Sequence, residues 1–171
     1  MRLVIPVLFL AAGCAQSDAG VGPKTGACDV PAIREKINDA IQRGVEATRN
    51  EDIDLYMDGI PDDFRVEEDD GTVNTKEQLR QYALRNWAVI DRTLELSVTI
   101  TSLNINSNCN EAQVFTDQRW ERIMQRPDNS GTDVILTTQK HEEEWRLVEN
   151  NWFNYNIKEL GGEVFVNGEP Y

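Results

Sequence analysis

The sequence is poor in positive charge. Its 171 residues hold 17 Lys and Arg against 30 Asp and Glu, a formal net charge of -13. Nucleic-acid binding needs a concentrated positive surface, so that class of partner is not expected. Direct adsorption to anionic lipid headgroups is disfavoured for the same reason. With one histidine there is no metal-binding histidine pair, and no Gly-rich phosphate loop or serine nucleophile elbow is present. No metal and no cofactor is expected. The longest apolar run, Leu3 to Ala12, would rise only about 15 Å as a helix, half of a membrane span. What remains is 40% hydrophobic and 27% charged, a composition able to bury one core in one ordinary domain.

The apolar run follows Arg2 and ends in Leu10-Ala11-Ala12-Gly13-Cys14. Charge, apolar stretch, small residues and cysteine in that order resemble a bacterial lipoprotein signal, cut after residue 13, with lipid then carried on Cys14. Ala11 departs mildly from the usual Leu. An unlipidated secretory signal, or a tail with an idle cysteine, is the plainer reading. Acylated Cys14 would hold the protein on a bilayer, placing it in the bacterial cell envelope and facing the periplasm. Residues 14–28 carry Gly20, Gly22, Pro23 and Gly26 without hydrophobic periodicity and read as a tether. Cys28 and Cys109 remain, and in an oxidising compartment they are expected to pair as a disulfide. Two free thiols, or metal binding, are the alternatives.

Residues 29–160 read as the folded domain and 161–171 as a tail. Ile33, Ile37, Ala40, Ile41, Gly44 and Val45 fall on one face of a helix from Pro31 to Asn50, capped near Asp29. A short helix follows from Glu51 to Met57, then a strand around Phe64 to Glu68. Thr75 with Gln78 forms a capping box for a third helix reaching about Ile90. The period then changes to two. Leu94, Leu96, Val98 and Ile100 share one side of a strand, followed by strands Val114 to Met124, Val134 to Val148 and Trp152 to Lys158. Short turns between long strands favour antiparallel pairing, and helices before a meander give an α+β class.

The leading helix, Asp52, Asp54 and Tyr56, Asp62-Asp63-Phe64, Asp70-Gly71, the Thr75 to Leu79 helix start and the closing Trp145-Arg146 to Trp152 hairpin resemble the nuclear transport factor 2-like, or SnoaL-like, superfamily. The resemblance covers about residues 31–160. It implies a cone-shaped, cystatin-like α+β fold, three N-terminal helices packed on a curved, mostly antiparallel sheet. It also implies an apolar pocket, used in that superfamily by isomerases, dehydratases, cyclases, binding proteins and assembly domains.

His141 is the natural base to consider, because it shares strand parity with Gln139, Glu143, Trp145 and Leu147. Asp54 or Asp58 could complete a relay, with Asp62 and Asp63 nearby in sequence. Tyr56, Tyr82, Trp87, Trp120, Gln139, His141 and Trp145 are the candidates for lining a pocket, although core packing explains the aromatics equally well. No convincing catalytic set emerges. The sequence therefore points to a membrane-tethered protein binding a small apolar molecule or a protein partner. A small acid–base enzyme and a structural or assembly domain are the alternatives. Phe115 and Ile123 on an outer face suggest a homodimer.

Overall fold

The computed structural model describes residues 28–171, so the expected signal segment 1–13, Cys14 and the tether up to Ala27 lie outside the described residues. Asp29 caps helix α1 (Val30–Arg49) by accepting from the Ala32 amide at 3.1 Å, and Pro31 sits in the first turn, where an amide hydrogen has no helical partner. The stripe read from the sequence is the buried one, Ile37, Ala40, Ile41, Gly44 and Val45. Helix α2 (Ile53–Met57) is capped by Asp52 and buries Tyr56 and Met57. The capping box at Thr75 and Gln78 starts α3 (Lys76–Trp87). This helix stops at Trp87 instead of Ile90, because Ile90 already opens the next strand.

Seven strands follow the chain as β1 (Arg65–Glu67), β2 (Val73–Thr75), β3 (Ile90–Ile105), β4 (Glu111–Gln125), β5 (Thr132–Val148), β6 (Asn151–Val166) and β7 (Glu169–Pro170). They form one sheet in the order β2-β1-β6-β5-β4-β3, with β7 on β6. Every pairing is antiparallel except β1 beside β6. The three helices cover the inner face of this sheet, giving the expected α+β architecture. Among the described residues no helix is long and apolar enough to cross a membrane.

Two readings of strand pattern need correction, and bulges are the reason. Leu94 was expected to face inward with Leu96, Val98 and Ile100. A register irregularity between Thr93 and Glu95 turns it out, and it is exposed while the other three are buried. The last long strand does not end at Lys158 but continues to Val166, so much of the expected tail belongs to the sheet. Beyond Lys158 its inward parity changes at an irregularity opposite Lys140 and His141, which hid the continuation. There Gly161 has φ +127°, and a Cβ on Gly162 would stand 2.2 Å from the Thr138 carbonyl oxygen. Only glycine fits that approach.

β3 is a sheet edge, and α1 covers it with side chains. Arg34, Gln42 and Arg49 donate to the carbonyl oxygens of Ile100, Val98 and Leu96 at 2.5, 3.4 and 2.5 Å. Occupied carbonyls are unavailable to a strand from another molecule. At the start of α1, Cys28 forms the expected disulfide with Cys109 in the β3–β4 turn, the two α-carbons 5.5 Å apart. Cys109 occupies that turn with φ 58°. The bridge joins the first helix to the sheet across 81 residues of sequence.

Candidate functional site

Strand parity builds the site. β4 turns Thr116, Gln118, Trp120 and Arg122 inward, and all four are buried. β5 turns Thr137, Gln139, His141, Glu143 and Trp145 the same way. The antiparallel register places Thr116 opposite His141, Gln118 opposite Gln139, and Trp120 opposite Thr137. From β6, Asn154 and Glu159 complete a polar seam across the inner face. A polar seam beneath helices is stable only where its groups find partners.

Glu143 is the best-satisfied member. Its carboxyl accepts from Thr116 Oγ1 at 2.7 Å, Trp145 Nε1 at 2.8 Å and Asn154 Nδ2 at 2.9 Å. Among the described residues no cation accompanies it, and burial pushes its pKa up to about 7 despite the bonds from Thr116 and Trp145, which lower it. A protonated Glu143 keeps the network closed, since its O–H then donates to the Thr116 hydroxyl. His141, one step along the strand, is 3% exposed and its Nε2 finds no partner among the described residues. Burial drives its pKa down to about 4, so the ring is neutral across the physiological range.

Further along the seam, Gln118 Nε2 donates to Gln139 Oε1 at 3.2 Å, and Gln139 Nε2 donates to Glu159 Oε1 at 2.9 Å. Glu159 faces Glu68, whose pKa is raised first by burial and then by that neighbouring carboxylate. Tyr82 lies in the same field, its hydroxyl pushed up to about 12 by burial. Among the described residues Arg122 has no carboxylate on its guanidinium. Its Cζ lies 4.0 Å from the centre of the Trp120 ring, and Nη1 donates to Thr137 Oγ1 at 3.0 Å and to the Trp120 carbonyl at 3.4 Å.

Past α3 the helices no longer cover the sheet, and the inner face opens into a pocket of about 440 Å³. Val89, Met124, Ile135, Val164 and Val166 form apolar walls, and Arg122 lies at the polar end. At the rim Arg126 is held by Asp133 through bonds of 2.6 to 3.0 Å. The volume is that of a site for a small molecule.

The sequence candidates divide accordingly. Tyr56 packs edge-on against Trp87, ring centres 5.4 Å apart, and with Tyr82 and Trp120 they surround a space of only about 10 Å³. Tyr56, Trp87 and Trp120 are core, Tyr82 packs partly buried against it, and no room is left for a ligand there. Trp145 and Gln139 are tied to Glu143 and Glu159. His141 lies among the buried groups of the seam, not on the pocket wall. Asp54 lies on the outside of α2, its side chain 89% exposed beside Arg80 at 3.7 Å, and Asp58 caps the C-terminus of that helix, also exposed. Asp62 bonds to Lys76 at 3.0 Å at the surface. Among the described residues no hydrogen bond or ion pair joins His141 to a carboxylate, so the relay considered with Asp54 or Asp58 is not assembled. Nor does any group of His, Cys, Asp and Glu there form a metal site.

The sequence reading missed Arg122, Glu159 and the pocket walls at Val164 and Val166. Arg122 was findable, since it has the parity of Trp120 and Met124. Glu159, Val164 and Val166 were hidden, because irregularities near Glu144 and Lys140 shift the inward parity of β6 twice.

No protein-family model and no curated protein sequence matches the chain. Solved structures do. A nuclear transport factor 2-like superfamily protein from Salmonella enterica shares 14% identity with a TM-score of 0.57, over 77% of this chain and 92% of its own. A ketosteroid isomerase-like protein from Erwinia carotovora atroseptica gives 12% and 0.53, over 77% and 94%. A hexachlorocyclohexane dehydrochlorinase, LinA type 2, gives 13% and 0.63, over 79% and 90%. At these identities the likeness concerns architecture, and the chain has the NTF2-like, cystatin-like fold, an α+β unit with a curved open sheet.

Proposed function

We propose that this protein is a lipid-tethered envelope protein whose domain binds a small, partly apolar molecule without transforming it. The observation that carries the reading is the pocket of about 440 Å³ walled by Val89, Met124, Ile135, Val164 and Val166. Burial of an apolar ligand in such a site contributes roughly 25 cal/mol for each Å² removed from water. The Leu10 to Cys14 segment supports the tether, and the bridge between Cys28 and Cys109 suits an exported chain. Titration calorimetry with decanol, a neutral probe, should show saturable binding to the purified domain. Val164→Trp fills the pocket and should abolish that heat while leaving the far-ultraviolet circular dichroism unchanged. A wild-type domain that binds neither decanol nor a charged ten-carbon analogue overturns the reading. Replacing Cys14 with Ala should release the protein from the membrane fraction.

The acid–base alternative has less support. Its base, His141, is neutral but sealed within the seam, and the exposed Asp54 and Asp58 carboxylates stand outside it. A general base must reach the proton it removes, at roughly 2.6–3.2 Å.

A further inference from the structure

We infer that the pocket selects molecules with a single negative charge at one end of an apolar body, a carboxylate-headed amphiphile, and that Arg122 is the residue that recognises the head. The inference rests on the binding function proposed above and names its ligand class.

Arg122 is 1% exposed, yet it has no acidic partner among the described residues. Among the described residues only Nη1 finds acceptors, and both are neutral, a threonine hydroxyl and a backbone carbonyl. Nε is buried without a partner. A guanidinium in that position is expensive: a buried charge is normally paired, and replacing it with an apolar side chain is often neutral or stabilising. The charge is displaced from water and held against Trp120 where the inner face opens to the pocket beyond α3. Its free edge is a set of N–H donors matched to a planar carboxylate.

The surroundings fix the number of charges and the rest of the ligand. Arg126 and Asp133 satisfy each other at the rim, which leaves Arg122 as the charged lining side chain with no opposite charge on it among the described residues. One cation suits a monoanion, whereas a phosphate dianion would keep a charge unmatched in an apolar site. The valine, isoleucine and methionine walls require that the remainder of the ligand be apolar. On a chain of formal charge -13, a buried guanidinium without a carboxylate at a pocket is not a consequence of overall composition.

The test compares decanoate, decanol and decylammonium near neutral pH by calorimetry. Decanoate should bind at least about tenfold tighter than decanol, because a charge-assisted hydrogen bond is stronger than a neutral one, and decylammonium should bind weakest. Arg122→Met should erase the preference for decanoate, keep decanol binding and leave the melting temperature unchanged or higher. Equal binding of decanoate and decanol to the wild type overturns this inference and leaves the binding function standing. Failure of all three probes removes the binding function itself. Should Arg122→Met not fold, the ranking of the three probes on the wild type decides alone.

Discussion

Glu143 and His141 are neighbours on one strand face with opposed responses to pH. Burial raises the Glu143 pKa from 4.5 to about 7, so the folded chain retains a proton there that the unfolded chain releases. The contribution is fully present below about pH 4.5 and is lost as pH rises through 7. His141, lowered from 6.5 to about 4 by burial, works the other way, and its share is lost as pH falls from 6.5 through 4. Glu143→Gln should separate them. The amide keeps an oxygen for Trp145 and Asn154 and offers an N–H to Thr116, but it cannot ionise. Urea unfolding should show the variant more stable than wild type near pH 8, by on the order of 3 kcal/mol at most, and equal to it near pH 4.5. A variant destabilised at both pH values would mean that the carboxylate, not the acid, is what the network holds.

Among the elements, the disulfide and the bulges mark what a sequence carries and what it does not. Cys28→Ser should lower the stability of the oxidised domain by a few kcal/mol at most, roughly the loop-closure scale for so long a span, with little effect in reductant. Chemical unfolding with and without dithiothreitol measures both. That pairing could be anticipated, because two cysteines without metal-site spacing have few fates in an oxidising compartment. The α1 stripe, the Thr75 capping box and the alternation of β4 were equally legible, since each is a local pattern of side chains. β1 beside β6 was not, because a parallel pairing between short and distant segments leaves no local trace. The same holds for the inward turn of Glu159 and Val164. Alternation predicts faces only while the register is regular, and β6 changes register twice.

For the molecule as a whole, the fold was readable and the walls of the pocket beyond α3 were not. The aromatics Tyr56, Trp87 and Trp120 were expected to serve as core or lining, and the helices press them into core. The opening lies where helix coverage ends, a property of how long α3 is relative to β4, β5 and β6, which no single residue announces. The outer face carries Phe115 and Ile123 as expected; Val134 stands opposite Ile123 in register, and Leu136 and Phe165 pair with each other on the same face, all half-buried. The proposed homodimer would use this face. Sedimentation at tens of micromolar should show a dimer, and Ile123→Glu should return it to monomer; a wild type that sediments only as monomer removes the dimer. The bridge at Cys28 has a mechanical meaning too. Tension on the chain ahead of it passes through the sulfurs into the β3–β4 turn and bypasses α1. A domain hauled by its leading end would keep its first helix slack and seated, whereas in the reduced protein the same pull would peel that helix away turn by turn.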